Sequence, residues 1–402
     1  MAAVAALGLA TLCATSLVVY LAARLHSAEM VAFAVTCLVM AATTIHWLSR
    51  PHLFTWLFVA VVSWLIEKVQ ATGKTKLLLW LPALMLLWVN LHPGFIVGVV
   101  ILAVWLADSV IRVPLEDEKQ SQLRTQTVWF AIVALGCLLA TLSNPYLTRL
   151  PRHILAYLFS PTAVTAHVEE WLSPDFHNPR LHWFELLLPL GAAAGLRHGM
   201  RRRLAWCALA LGSMHLALIS VRNVPIFAIV SAAPIASLMD YGMRRSRFAL
   251  DTSVAEGVHN LKRSRLGTFI CCGIAIAVLV NVFCNRSIRF GPESSLPVEA
   301  AAHLPAGRLF TTDRWADYLI YLEPGRRVFF DGRNDFYGPQ FVSEYLAVMR
   351  AQPKWQEILR NDAITVALVP KDSPISAALA GSSDWRLSYQ DATASIFQRA
   401  KS

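Results

Sequence analysis

The apolar positions of this chain come in long runs, not in the short alternations or spaced stripes of a soluble fold. Runs of roughly 17–23 apolar residues recur, the length that crosses a hydrocarbon core of about 30 Å. Ten spans are predicted, over residues 2–24, 29–48, 53–67, 77–90, 95–112, 126–143, 181–197, 204–221, 223–241 and 266–284. One interruption decides the count. The stretch WVNLHPGFIVG, residues 88–98, sets Asn90, His92, Pro93 and Gly94 in the middle of an apolar run from Leu77 to Arg112. As one helix that run would be about 54 Å long, too much for a single crossing. Two spans joined by a tight turn are therefore expected, with Pro and Gly ending the helices and Asn and His reaching water or partners.

Between the spans, residues 144–180 form a long loop. Its middle, RHILAYLF, is apolar with basic flanks and predicts a helix lying in the membrane interface. After residue 285 the pattern changes. GRLFTT, RRVFFDG, ITVALVP, WRLSYQD and TASIFQR read as strands, and DRWADYLIYL, QFVSEYLAVMR and KWQEILRN read as helices. The mixture predicts a small α/β domain over 286–402, its last two strands forming a hairpin that turns near Asp391. Asp313 is the expected N-cap of the DRWADYLIYL helix. The fold class is thus an α-helical polytopic membrane protein of about ten spans, residues 1–285, with a C-terminal α/β domain.

Composition supports the membrane assignment: 56% of residues are hydrophobic and 15% charged, at a mean hydropathy of +0.48. Soluble domains are about 45–50% apolar and about 25% charged. The net charge of +10 does not indicate a nucleic-acid partner, because position explains it. Residues 1–285 hold 22 Lys and Arg against 13 acids, whereas 286–402 hold 14 against 13. With ten spans, 17 basic residues fall on one side, RRR at 201–203 and RRSR at 244–247 among them, and 5 on the other. That bias predicts the first side as cytoplasmic and places the C-terminal domain outside. All seven cysteines lie in or beside apolar runs without metal-ligand spacing, and read as small buried hydrophobes.

The polar residues at membrane edges gather on the outer side. They are Arg50 and His52 in SRPHLF, Asn90 and His92, Asn144 and Tyr146 in SNPY, Glu169, Glu170 and Asp175 in EEWLSPD, and Arg222 and Asn223 in VRNVP, with Glu185 about one turn inside a span. Polar groups at membrane depth are costly and face a cavity or each other. A set at one depth, from several loops, predicts one outward-opening polar cavity. Plainer roles stay open for each: a snorkelling anchor for Arg50, helix caps for His52, His92 and Asn144, solvation for Glu169 and Glu170, an ion pair for Arg222. In the tail, RRVFFDGRNDFYG puts Asp331 and Arg333 where a strand would end. That edge favours ligands in open α/β sheets, and an Asp-Gly turn with an Arg–Asp ion pair is the alternative.

The order RPHLFTWL, LPALMLLWVNLHPGFIVG, SNPY, EEWLSPDF, RNVPIFAI, DRWADYLIYL and VFFDGRNDFYG resembles a group of uncharacterised bacterial multi-pass proteins. These in turn resemble the GT-C glycosyltransferases. The resemblance implies an enzyme of the bacterial cytoplasmic membrane that takes a sugar from a polyprenyl-phosphate donor on the outer face. It implies donor-phosphate contacts from Arg50, His52, His92 and Arg222, and an acceptor or divalent-metal site at Glu169, Glu170 and Asp175. Such enzymes carry a catalytic acid in the first outer loop. Here the chain starts directly in a span running inward, so the expectation is a further upstream span with an acidic loop, or loss of the catalytic base. The competing expectation is a non-catalytic membrane subunit whose outer domain binds a protein partner. A transporter ranks last, since the one helix break lies at a membrane edge and no repeat is present.

Overall fold

The computed structural model describes residues 2–115, 120–159, 169–245 and 296–400. The chain divides into two compact units, one helical and one containing a sheet. The predicted span at 266–284 lies outside the described residues.

The first unit is built from α1 (Ala2–Arg24), α2 (Glu29–Thr43), α3 (His52–Thr72), α4 (Trp80–Val89), α5 (Phe95–Arg112), α6 (Gln120–Ala140), α7 (Arg149–Phe159), α8 (His182–Met200), α9 (Leu204–Ile219) and α10 (Val224–Arg245). Among the described residues, six helical segments are long and apolar enough to cross a membrane: those of α1, α2, α3, α5, α6 and α10. Thr75–Val89 and Leu204–Ile219 are apolar but shorter. The predicted interface helix is α7.

The predicted turn at Asn90–Gly94 separates α4 from α5, and α5 folds back on α4. A Cβ placed on Gly98 would stand 2.6 Å from the Trp88 ring and 3.1 Å from Met85, so only glycine lets the two helices meet there. The same device recurs between α8 and α10, where a Cβ on Gly191 would stand 2.6 Å from the Phe227 ring. Without a hydrophobic force between helices in lipid, close approach through small residues supplies the dispersion contacts that hold a bundle together. The most enclosed helix is α10. Ala228, Ala232, Ala233 and Ala236 are buried along it, and it touches α1, α2, α3, α8 and α9.

Buried acids tie the bundle at the end that carries the arginine clusters. Glu67 of α3 is 5% exposed. It accepts from the Trp206 indole N–H of α9, and His26 Nε2, just after α1, lies 2.8 Å from it. Asp108 of α5 accepts from the Ala205 backbone N–H at 3.1 Å, capping the start of α9. Asp240 of α10 accepts from the Ala28 N–H at 2.8 Å, capping the start of α2. Both carboxylates thus satisfy a donor that a helix start leaves free, and sit where its dipole favours a negative charge.

The second unit carries a four-stranded sheet in the order β1 (Leu309–Thr311), β2 (Val366–Pro370), β4 (Ala394–Arg399), β3 (Trp385–Gln390). β1 and β2 are parallel, with Leu309 opposite Val366, and the other pairs are antiparallel. Around the sheet lie α11 (Val298–Ala301), α12 (Asp313–Leu322), α13 (Asn334–Met349), α14 (Trp355–Asn361) and α15 (Pro374–Ala380). Leu309, Trp315, Leu319, Val366, Leu368 and Ile396 make one core. The hairpin of β3 and β4 turns at Asp391, whose Oδ1 accepts from the N–H of Thr393 and of Ala394, both at 2.7 Å.

Two expectations for this unit are corrected. RRVFFDG is not a strand: Val328 makes a single parallel bridge to Leu309, and the chain then bends because Asp331 is held by Arg333 and Tyr337. The N-cap of α12 is Thr312, not Asp313. The Thr312 hydroxyl accepts from Trp315 N–H at 3.2 Å with an extended backbone, while Asp313 is already helical.

The Glu67 network makes a direct prediction. Glu67→Ala leaves the Trp206 indole and the His26 ring without their shared acceptor and is expected to cost about 1–3 kcal/mol, at roughly 1 kcal/mol per interhelical hydrogen bond. Thermal denaturation in detergent reads the loss, and an unchanged midpoint would mean that the network does not hold α1, α3 and α9 together.

Candidate functional site

At the other end of the helical unit, the start of α3, the start of α5 and the turns around Glu170 and Arg222 enclose a cavity of about 260 Å³. Its walls are His46, Arg50, Pro51, His52, Thr55, Trp56, His92, Gly94, Val97, Glu170, Arg222, Asn223 and Ile226. Of the residues singled out from sequence, Arg50, His52, His92, Glu170, Arg222 and Asn223 meet here.

The others do not line it. Asn90 turns away, donating to Leu86 and Ser143 carbonyls at 2.9 and 3.0 Å, beside a second recess shared with Asn144 and Tyr146. Asp175 is largely exposed and contacts its own neighbour, His177, at 3.1 Å. Hydrogen bonds from the His177 backbone and ring hold the Asp175 carboxyl below its ordinary range. Glu169 stands in the short turn Glu169–Trp171, and its side chain is outside the described residues. Glu185 lies on α8, away from this cavity. Asp331 and Arg333 belong to the second unit. There the Arg333 guanidinium grips the fully buried Asp331 carboxylate at 2.6 Å, Tyr337 donates to it at 3.0 Å, and its pKa is held down.

The charges in the cavity lean positive. Arg50 pairs with Glu170 at 3.1 Å, both at least partly exposed. Arg222 stacks over the Trp171 ring, 4.7 Å from its centroid, and has no carboxylate partner among the described residues. The starts of α3 and α5 face the same space, and helix starts favour anions through their free N–H groups and dipole. A guanidinium with no carboxylate partner among the described residues, beside two helix starts, suits the oxygens of a phosphate.

His92 has a fixed role within this geometry. The backbone N–H of Gly94 donates to its Nδ1 at 3.0 Å. The Thr55 hydroxyl lies 2.8 Å from the same nitrogen, and accepts in turn from the Trp88 indole at 3.0 Å. A backbone N–H can only donate, and the Trp88 N–H occupies Thr55 as acceptor. Nδ1 is therefore the acceptor, and the neutral ring carries its proton on Nε2. Burial, with Arg222 and His52 nearby, lowers the His92 pKa to about 4. His92 is thus a neutral donor through Nε2–H, and its basic nitrogen is already occupied. Gly94 matters here through space and not conformation, since its φ is −62°. A Cβ on it would collide with the Thr55 hydroxyl.

Sequence reasoning missed His46, whose Nε2 is buried without a hydrogen-bond partner among the described residues, and Thr55. A histidine at the end of an apolar helix was a legible signal for the first. A threonine inside an apolar helix gives no such signal.

No group of three or more His, Cys, Asp or Glu side chains able to hold a metal occurs among the described residues. Among the described residues the cavity offers one carboxylate, already engaged with Arg50, and a His92 ring whose Nδ1 is taken. These residues do not fit a divalent cation.

No protein-family profile matches the chain. No curated protein matches it either. Among solved structures, the archaeal oligosaccharyltransferase AglB from Archaeoglobus fulgidus, in complex with an inhibitory peptide and a dolichol-phosphate, is similar in fold, with a TM-score of 0.52 at 9% identity. The likeness covers 89% of this chain and 57% of that one. A second structure of the A. fulgidus oligosaccharyltransferase, tethered to an acceptor peptide, aligns at a TM-score of 0.49 and 11% identity over 91% of this chain and 57% of that one. The chain therefore spans little more than half the length of these neighbours, and the likeness is one of fold.

Two outcomes follow from the His92 geometry. Nitrogen-15 NMR of labelled histidine should show His92 as the neutral Nε2–H form, titrating near pH 4; a midpoint near 6.5 would contradict it. Because the folded ring binds its proton less readily than the unfolded one, its contribution to stability is complete above about pH 6.5 and is lost as pH falls toward 4. Separately, Gly94→Ala should cost about 1–3 kcal/mol by displacing Thr55, and Gly94→Ser no less. Equal stability of wild type and Gly94→Ala would show that the close approach does not exist.

Proposed function

We propose that this chain is a GT-C-type membrane glycosyltransferase module whose cavity binds the phosphate of a polyprenyl-phosphate-linked sugar. The observation that carries the reading is the Arg222 guanidinium, without a carboxylate partner among the described residues, sharing one cavity with the His92 donor and two helix starts. The fold likeness to AglB, whose structure holds a dolichol-phosphate, supports the same donor class.

In this reading, Arg222 and the Nε2–H of His92 bind the donor phosphate. A nucleophilic acceptor atom attacks the anomeric carbon of the sugar. The carbon–oxygen bond to phosphate breaks, and the electron pair stays on the phosphate oxygen, where Arg222 stabilises it. The acceptor's proton passes to a carboxylate. Among the described residues Glu170 is the carboxylate that lines the cavity, and Arg50 holds it in place. Arg50, His52 and Asn223 complete the donor pocket. In this reading the arginine-rich end is cytoplasmic, and the cavity and the C-terminal domain lie on the outer face of a bacterial cytoplasmic membrane, as the bias of basic residues supports.

The engagement of Glu170 with Arg50 favours one second reading: a subunit that holds the lipid phosphate, presents the outer domain to a membrane protein partner, and transfers nothing itself.

Purified protein in lipid nanodiscs, given a short-chain polyprenyl-phosphate sugar, tests both. Arg222→Ala should lower transfer by about 10²–10³-fold, with partial recovery in Arg222→Lys, and Glu170→Gln should abolish turnover while donor binding persists. Donor binding unaffected by Arg222→Ala would defeat both readings. Donor binding that requires Arg222, without turnover under any acceptor, would leave the subunit reading in place of the enzyme.

A further inference from the structure

The opposite end of the helical unit carries a second charged groove, of about 240 Å³, where α8 turns into α9 beside the last turn of α10. Arg197, Arg201, Arg203 and Arg244 wall it, against the single carboxylate of Asp240. That carboxylate is spent twice over. Its Oδ1 caps α2 through Ala28, and its Oδ2 accepts from Arg244 at 2.7 Å. Arg197, Arg201 and Arg203 have no carboxylate partner among the described residues.

These three guanidiniums are held in place by aromatic rings. Arg197 lies over the Tyr241 ring at 3.9 Å from its centroid, Arg201 over the same ring at 5.2 Å, and Arg203 over the Trp206 ring at 5.0 Å. The Tyr241 hydroxyl accepts from Arg245 at 2.8 Å, which fixes that ring in turn. The backbone bends to allow it. Arg202 adopts a left-handed φ of 56°, a conformation that favours glycine, and the N–H of Arg203 returns to the carbonyl of His198 at 2.9 Å. His198 itself, 1% exposed, lines the groove with an Nδ1 that has no partner among the described residues. Sidedness explains why basic residues accumulate at this end. It does not explain why they are stacked on rings around a recess. Cations gathered within a Debye length repel each other, and an anion relieves that cost.

We propose that this groove is a binding site for a phosphate-bearing anion, either a lipid headgroup of the adjoining leaflet or a soluble diphosphate. Planar guanidiniums already oriented on rings lose little freedom on meeting phosphate oxygens. The inference does not rest on the transferase reading, because the groove shares no lining residue with the outer cavity.

Hydrogen–deuterium exchange over the α8–α9 turn, residues 199–207, gives a local readout that binding at the outer cavity does not move. Delipidated protein is compared with protein in phosphatidylglycerol nanodiscs, in phosphatidylcholine nanodiscs, and in detergent with pyrophosphate. Protection several-fold above the phosphatidylcholine sample in phosphatidylglycerol alone assigns a lipid headgroup, and protection by pyrophosphate alone assigns a soluble ligand. The double variant Arg197→Gln/Arg201→Gln should weaken the apparent affinity about tenfold or more, with Lys at both positions intermediate. If that variant fails to fold, Arg203→Gln, which leaves the Tyr241 stack intact, should still weaken it. No protection by either anion, or equal protection in folded variants, overturns the proposal.

Discussion

Every polar group carried into the helical unit must find its partner there, because hydrocarbon offers none. The chain meets this requirement for most of its buried polar groups, with His46 Nε2, His198 Nδ1 and Ser231 Oγ among the exceptions in the described residues, and it gathers its charged groups near the two ends. Thr55 shows how strict the matching is. One hydroxyl takes the Trp88 indole proton and faces the His92 ring, and the absence of a side chain on Gly94 leaves room for it. The turn that splits the fourth and fifth helices and the orientation of a cavity-lining donor are thus one feature. A helix break that looks merely tolerated in the sequence is what aims Nε2–H of His92.

The two ends solve the same requirement with different chemistry. At the arginine-rich end, buried carboxylates are consumed in joining helices: Asp108 and Asp240 cap helix starts, and Glu67 links three segments. At the other end, among the described residues, one carboxylate meets one arginine and a second arginine has no carboxylate partner. The first arrangement consolidates structure. The second leaves a cation beside helix starts in a cavity, and the proposed function is assigned there.

Much of this was legible in residue order. Nine of the ten predicted spans correspond to described helices within a few residues at most ends, although the six that meet a crossing length are fewer than predicted. Depth in the membrane brought Arg50, His52, His92, Glu170, Arg222 and Asn223 to one cavity. Depth does not give azimuth, so Asn90 and Asp175, at the same level, point elsewhere. Thr55 was invisible because a threonine in an apolar helix usually bonds its own backbone, as Thr36 does here. RRVFFDG misled because β-branched and aromatic residues favour strands, whereas the Asp331–Arg333 contact overrides that preference within two residues.

The central claim is that the cavity beside Arg222 and His92 is a phosphate site. The most direct measurement is an electron cryomicroscopy structure in lipid with a short-chain polyprenyl-phosphate sugar bound. The account predicts phosphate density about 3 Å from the Arg222 guanidinium and from Nε2 of His92, with Nδ1 still facing Thr55. A phosphate bound elsewhere while this cavity holds only water, or a His92 ring turned so that Nδ1 meets the ligand, would contradict it.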